Sequence, residues 1–262
     1  MKNRKAAYHR NKAMIKASIR DIYHSHGGVD GYRTMQVYLR RKGTYISCAT
    51  VHKYMNTEMQ LFSVSRRKKP GYVHGAAHKV YDNRLKQNFH AKKRNRKWCT
   101  DFTYLTLADG RKRYNCTIID LYDRSVIAGI TDRNITSDLA KRTLEKAIRS
   151  QSGIDLKQLI LHSDQGSQYT SREFTEFCIE KGITQSMSKA GYPYDNAPME
   201  RYFNTLKTEL IYQHNYRTET ELYSAIEEFA YVHYNHVRPH SYNNYKTPFE
   251  TRYGRYKPDT KI

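Results

Sequence analysis

The chain has 262 residues, with 46 Lys and Arg against 25 Asp and Glu, and so a formal charge of +21 at pH 7 with His neutral. That length holds one or two domains, and 38% hydrophobic with 13% aromatic residues is enough to close a core, which excludes a wholly disordered basic tail. A field of this sign gathers polyanions; no run approaches the ~20 apolar residues of a spanning helix, and no apolar core follows the basic N-terminus as in a secretory signal, so nucleic acid is favoured over membrane.

The first segment, 1–62, has helical periodicity. Ile15, Ile19 and Ile22 fall on one face, as do Tyr32, Met35 and Leu39, and then Val51, Tyr54 and Met55. Gly27 and Gly28 close the first helix, Gly43 closes the second, and Ser47 can cap the third. Three short helices with a tight turn before the last suit a helix-turn-helix, with Cys48 to Met59 as the groove-entering helix.

Residues 63–97 form a basic linker. From Arg66 to Lys97 there are twelve basic residues against the single acid Asp82, a charge of +11 in 32 residues, with Pro70, Gly71 and Gly75 interrupting any periodicity. Each phosphate neutralised releases condensed cations and adds affinity, so the segment is expected to strap the DNA backbone through Lys92, Lys93, Arg94, Arg96 and Lys97. Lys2, Arg4, Lys5, Arg10 and Lys12 add to the same field.

From 98 to 212 the period changes. Trp98 to Leu107, Tyr114 to Tyr122 and Ser125 to Thr131 are β-rich runs, the last two separated by an Asp123-Arg124 turn. Thr136 begins a helix through Ser150, Leu156 to Leu161 reads as a buried strand, Ser171 caps a helix ending at Gly182, and Ile183 to Met187 is a further strand. Three meandering strands followed by alternating helix and strand predict an α/β fold with a mixed sheet flanked by helices, an order that resembles a ribonuclease-H-like domain. Residues 213–262 supply a C-terminal helix and tail.

Three acids occupy unusual positions. Asp101 lies inside the first strand, where an acid weakens a sheet. Asp164 directly follows the strand ending Leu159-Ile160-Leu161, and acids at strand ends in α/β sheets line functional crevices. Glu200 lies in a helix that Asn196 can cap, with Pro198 in its first turn; Glu200, Asn204 and Lys207 share a face there. Cys48, Cys99, Cys116 and Cys178 are scattered singly, which argues against disulfides and a thiolate zinc site. His233, His236 and His240 have no Cys or carboxylate at ligand spacing, so packing and phosphate contacts account for them better than zinc.

Together these motifs resemble the catalytic frame of the bacterial insertion-sequence transposases of family three, in the DDE transposase and retroviral-integrase superfamily. Gly31-Tyr32-Arg33 is similar to that family's N-terminal module. Trp98-Cys99-Thr100-Asp101 carries the first acid, His162-Ser163-Asp164-Gln165-Gly166-Ser167-Gln168-Tyr169 the second, and Asp195-Asn196-Ala197-Pro198-Met199-Glu200 the third, with 35 residues between Asp164 and Glu200. Tyr234-Asn235-His236-Val237-Arg238-Pro239-His240, then Thr247-Pro248, resembles the C-terminal signature; Asp30 and Tyr242-Asn243-Asn244 depart from the usual pattern.

The resemblance implies a cytoplasmic, nucleoid-associated bacterial enzyme that cleaves and transfers DNA strands at element ends. Asp101 is expected to bridge two Mg2+ or Mn2+ ions, with Asp164 completing one site and Glu200 the other, and Lys207 to face the DNA backbone. Partners implied are double-stranded DNA of the element ends and target, further copies of the chain on DNA, and an upstream-frame partner or fusion, since the chain has no leucine heptads of its own. The competing reading is a non-enzymatic DNA-binding regulator or a partner-dependent transposase subunit.

Overall fold

The computed structural model describes residues 2–64, 79–189 and 192–254, with the side chains of 2–5 and 193 outside that description. Arg66, Arg67, Lys68, Lys69, Pro70, Gly71 and Gly75 of the basic segment, the side chains of Lys2, Arg4 and Lys5, and Gly191 therefore lie outside the described residues. The chain divides into two compact units, Met1–Lys69 and Pro70–Ile262. No described helix is long and apolar enough to cross a membrane.

In the first unit, α1 (Lys2–Ser25), α2 (Tyr32–Arg41) and α3 (Cys48–His52), which runs on into π-type turns over Lys53–Glu58, close around the predicted stripes. Ile19, Met35, Leu39, Val51 and Met55 are fully buried at its centre. Gly27 and Gly28 take φ of 64° and 76°, left-handed values that let α1 stop and the chain reverse. Ser47 Oγ accepts from Thr50 N–H at 3.1 Å, the expected cap of α3. Asp30, where the sequence departs from the family pattern, is buried, with Oδ2 2.6 Å from His26 Nδ1.

The second unit is built on a five-stranded sheet of β1 (Lys97–Thr106), β2 (Lys112–Asp120), β3 (Val126–Asp132), β4 (Ile160–Ser163) and β5 (Thr184–Met187) in the order β3-β2-β1-β4-β5. The first three pair antiparallel, while β1–β4 and β4–β5 are parallel. Strand alternation sends neighbouring residues to opposite layers. Trp98, Ile118 and Leu161 enter one core with α4 (Ser137–Ser150) and α6 (Arg172–Glu180). Cys99, Ile119 and Val126 enter the other, under α7 (Ala197–Glu209) and the helix that begins as α8 (Glu219–Glu227) and continues in π-type turns over Glu228–Val237. A short α5 (Ser167–Thr170) follows β4, and α9 (Pro248–Tyr253) closes the described chain behind a Thr247/Glu250 capping box.

The strand expected over Leu156 to Leu161 begins only at Ile160. Asp155 Oδ1 accepts from Lys157 N–H at 3.2 Å, and Leu159 N–H bonds back to Leu156 O at 3.1 Å, so Leu156–Gln158 winds into a 3-10 turn. Leu159 reaches the core from that turn, so the apolar run needed no strand to be buried. Residues 79–96 of the basic segment lie without regular structure against the second unit, anchored by buried Leu85 and Ala91.

Candidate active site

Asp101 sits mid-way along the central strand β1, and its side chain points to the α7 face, as does Cys99 two residues earlier. Its Oδ1 accepts from Phe102 N–H at 2.7 Å. The parallel ladder pairs Cys99 with His162; continued by two residues, the same register sets Asp101 beside Asp164, just past the end of β4, on strands about 4.8 Å apart. Asp164 Oδ1 accepts from Gly166 N–H at 2.9 Å. A Cβ on Gly166 would stand 2.9 Å from that oxygen, so a side chain here would push the carboxylate out of its place.

Glu200 lies in the first turn of α7, half-buried. The expected side-chain cap by Asn196 is not made. Its Nδ2 donates instead across the site to Thr100 O at 3.2 Å, which ties the start of α7 to the strand carrying Asp101. Two residues that the motifs include without a role of their own, His162 and Asp195, reinforce this tie. His162 places Nδ1 2.9 Å from Ser186 Oγ and Nε2 2.9 Å from Asp195 O, bridging β4, β5 and the turn before α7; burial pushes it down to about 4, so it is a neutral clamp. Burial pulls the Asp195 carboxyl upward, but donors from Gln87, Lys189 N–H and Asn83 outweigh it and hold the group below the usual carboxylate range. Periodicity and motif spacing carry no signal for such long-range pairs.

Asp101 feels the charge of both other acids. Burial raises the Asp101 carboxyl well above its ordinary value, with repulsion first from Asp164 and then from Glu200 adding to it; the Phe102 N–H and Lys207 pull the other way. Burial likewise raises Asp164 and Glu200. Among the described residues no three His, Cys, Asp or Glu side chains stand close enough to chelate an ion as they are. Tyr169, the last residue of the second motif, is buried with Oη 3.0 Å from Thr100 Oγ1, a packing role beneath β1.

The basic residues divide. Lys92, Lys93 and Arg94 are exposed, Arg94 with its guanidinium 5.9 Å from the Tyr253 ring centre. Arg96 is half-buried, its Nη1 enclosed without a hydrogen-bond partner. Lys97 Nζ donates to Asn88 O at 2.9 Å and His90 O at 3.0 Å, holding the basic segment to itself. His233 and His236 stack on Phe229 and Phe249, with ring centres 5.4 and 4.2 Å apart.

A mixed sheet in this order, flanked by helices, is a ribonuclease-H-like fold, and acids stand on its central strand, past the end of the parallel neighbour and on the crossing helix. Two profiles described as an integrase core domain match residues 91–193 and 181–248, and one described as an HTH-like domain matches residues 9–69. The chain is 33% identical over 246 residues to the putative transposase InsK for insertion sequence element IS150 of Escherichia coli K12, covering 94% of this chain and 85% of that protein. It is 30% identical over 239 residues to the transposase for insertion sequence element IS904 of Lactococcus lactis, covering 90% and 92%. In fold it is similar to a chain of the simian T-cell lymphotropic virus intasome solved by cryoEM with PP2A regulatory subunit B56 gamma, at a TM-score of 0.52 and 19% identity over 85% of this chain and 72% of that one. The chain belongs to the insertion-sequence transposases of family three, and its function is that of a DDE transposase acting on DNA.

Proposed function

We propose that Asp101, Asp164 and Glu200 are the catalytic carboxylates, and that together they hold two divalent cations, Mg2+ or Mn2+. The observation that supports this reading is positional: the parallel register runs Asp101 beside Asp164, and Asn196 ties the start of α7, which carries Glu200, to the strand of Asp101. An all-oxygen set of hard donors suits such cations in its chemistry, and the acids would draw together on binding. When bound, the ions activate the attacking oxygen and stabilise the leaving one. The protein's own residues do the positioning. Phe102 and Gly166 N–H groups fix the planes of two carboxylates, Asn196 and His162 fix the third relative to them, and Lys207 holds the substrate's backbone beside Asp101. Lys92, Lys93, Arg94, Arg96 and the helical module at 1–62 add affinity for the element ends and target. Further copies of the chain on DNA and an upstream-frame product complete the assembly, in the bacterial cytoplasm.

The test is Glu200→Gln, which keeps the helix and the shape but removes one negative charge. Strand joining in Mg2+ should fall on the order of 10³-fold or more, and Mg2+ should lose much of its stabilising effect on the protein. Binding of element-end DNA in Ca2+ should stay within about threefold, under 1 kcal/mol. Near-normal joining would refute the assignment, and parallel loss of DNA binding would make Glu200 structural.

A further inference from the structure

A cleft of about 210 Å3 opens on the α7 side of the sheet, with Phe89, Ile119, Pro198 and Tyr234 as walls and two arginines, Arg124 and Arg201, as its cations. No carboxylate lines it. Arg124 is only 8% exposed, and its guanidinium stacks 3.9 Å from the Tyr242 ring centre while Nη2 donates to Phe89 O at 2.9 Å. Nη1 of the same guanidinium is buried with no hydrogen-bond partner. An unmade bond from a buried charged donor costs about 1–3 kcal/mol or more, which a ligand anion would relieve. Arg201 directly follows Glu200 on α7 and is exposed, without a carboxylate partner among the described residues. His240 also lines the cleft, and burial, then repulsion by Arg238, Arg124 and Arg201, pushes it down to about 3, so it stays neutral and adds no charge. The contrast within the fold is direct: Arg238 forks onto Glu209 at 2.7–3.1 Å, and Arg252 is met by Asp120 and Asp123.

We propose that this cleft holds one unstacked nucleotide of the DNA strand, its base against Phe89 and Tyr234 and its phosphate on Arg201 and Arg124 Nη1. Size and lining select that ligand. The volume is roughly seven waters' share at ~30 Å3 each, more than a bare phosphate fills and far less than a duplex needs. Aromatic walls take the face of any base, planar guanidiniums match phosphate oxygens, and the positive end of α7 at Ala197 and Pro198 favours an anion. A base leaves the stack most cheaply where it is already unpaired, so the strand end is the natural occupant. The inference rests on the DNA-transfer reading, since Arg201 is the neighbour of Glu200.

The test is photocrosslinking of the full chain, without Mg2+, to a duplex bearing 5-iododeoxyuridine as an unpaired terminal nucleotide, with the attachment site mapped by mass spectrometry. Crosslinks should fall on Phe89 or Tyr234, and Arg201→Gln, at an exposed position, should lower their yield at least fivefold while the urea-unfolding midpoint stays that of the parent. Arg124→Lys, which keeps the charge but removes Nη1, should lower it as well. Glu200→Gln should crosslink like the parent, which separates this site from the catalytic one. Free deoxythymidine monophosphate at the oligonucleotide's concentration should leave the yield unchanged. Crosslinks only elsewhere, an undiminished yield in Arg201→Gln, or loss of the signal to the free nucleotide would overturn the proposal.

Discussion

Arg252→Met cuts the charge out of a buried polar knot while keeping the stem of the side chain. Arg252 is 4% exposed, and its Nη1 lies 2.6 Å from Asp123 Oδ2 while Nη2 lies 3.1 Å from Asp120 Oδ2; both carboxylates are fully buried. Asn95 Oδ1, Gln151 Oε1 and Ser125 Oγ accept from the same guanidinium at 2.9–3.1 Å. Removing one partner of a buried pair strands the other charge and costs about 3–5 kcal/mol. That loss should depend on pH. Burial and then Asp123 raise the Asp120 carboxyl to about 6 even with Arg252 pulling it down. A folded-state value above the unfolded one of about 4 means the native state holds the proton more tightly, so the parent loses stability as pH rises from about 4 through 6. Without Arg252 the carboxyl keeps its proton to higher pH, and the variant goes on losing stability where the parent has levelled off.

Between pH 6 and 7.5 the proton retained by the variant is worth at most about 2 kcal/mol, at 1.36 kcal/mol per pH unit, and it limits the damage; an ionised Asp120 facing Asp123 would cost more. Urea unfolding followed by fluorescence of Trp98, the chain's single tryptophan and a core residue of the second unit, should therefore give a deficit of about 3–5 kcal/mol at pH 7.5. At pH 5, where Asp120 is largely protonated in both proteins, the deficit should shrink by 1 kcal/mol or more. Adding Asp120→Asn to the variant should recover part of it at pH 7.5. A deficit under about 1 kcal/mol, or one independent of pH, would show that the knot is not held by charge.

Two further outcomes are expected. Reversing Lys92, Lys93 and Arg94, all exposed, should flatten the dependence of log affinity for duplex DNA on log salt by about 2–3, at ~0.9 per phosphate contact; an unchanged slope would remove the strap from the account. Asn235 Oδ1 accepts from Val126 N–H and its Nδ2 donates to Val126 O, each at 2.9 Å, so Asn235→Ala should cost about 2–3 kcal/mol in urea unfolding at pH 7.5, and a loss under ~0.5 kcal/mol would mean that water replaces the amide there.

What the sequence made legible was whatever is local. The helix stripes of the first unit, the caps at Ser47, Thr136 and Ser171, the three meandering strands and the positions of Asp101, Asp164 and Glu200 on their elements follow from period and spacing, and the structure has each of them. What was not legible is non-local or competitive. Asn196 had the right type and position for a cap, but Thr100 O, 96 residues away, takes its amide. The Leu156 run was apolar enough for a strand, but a preceding Asp gave the backbone a tighter turn. Lys97 reads as a charge in the sequence, and its ammonium also donates to two carbonyls of its own segment, a local anchor that charge counting does not reveal.

That last case bears on the +21 charge as a whole. A net charge states how strong the distant field is, not which cations make it available to a ligand. Arg252 and Arg238 are paired with acids inside the fold, while Lys97 keeps its charge and donates to two backbone carbonyls. Lys92, Lys93 and Arg94 stay exposed, and Arg124 and Arg201 meet no acid in a cleft shaped for something flat and anionic. The same signature segment supplies both kinds: Asn235 and Arg238 fasten the long helix to β3 and α7, while Tyr234 and His240 wall the cleft. Tyr234 is also part of the core, packed edge-on against Tyr202, and the His240 side chain caps the turn that follows. On the nucleotide proposal, the second pair, set beside arginines with no acid in the cleft lining, gives that segment a place at the DNA as well as in the core.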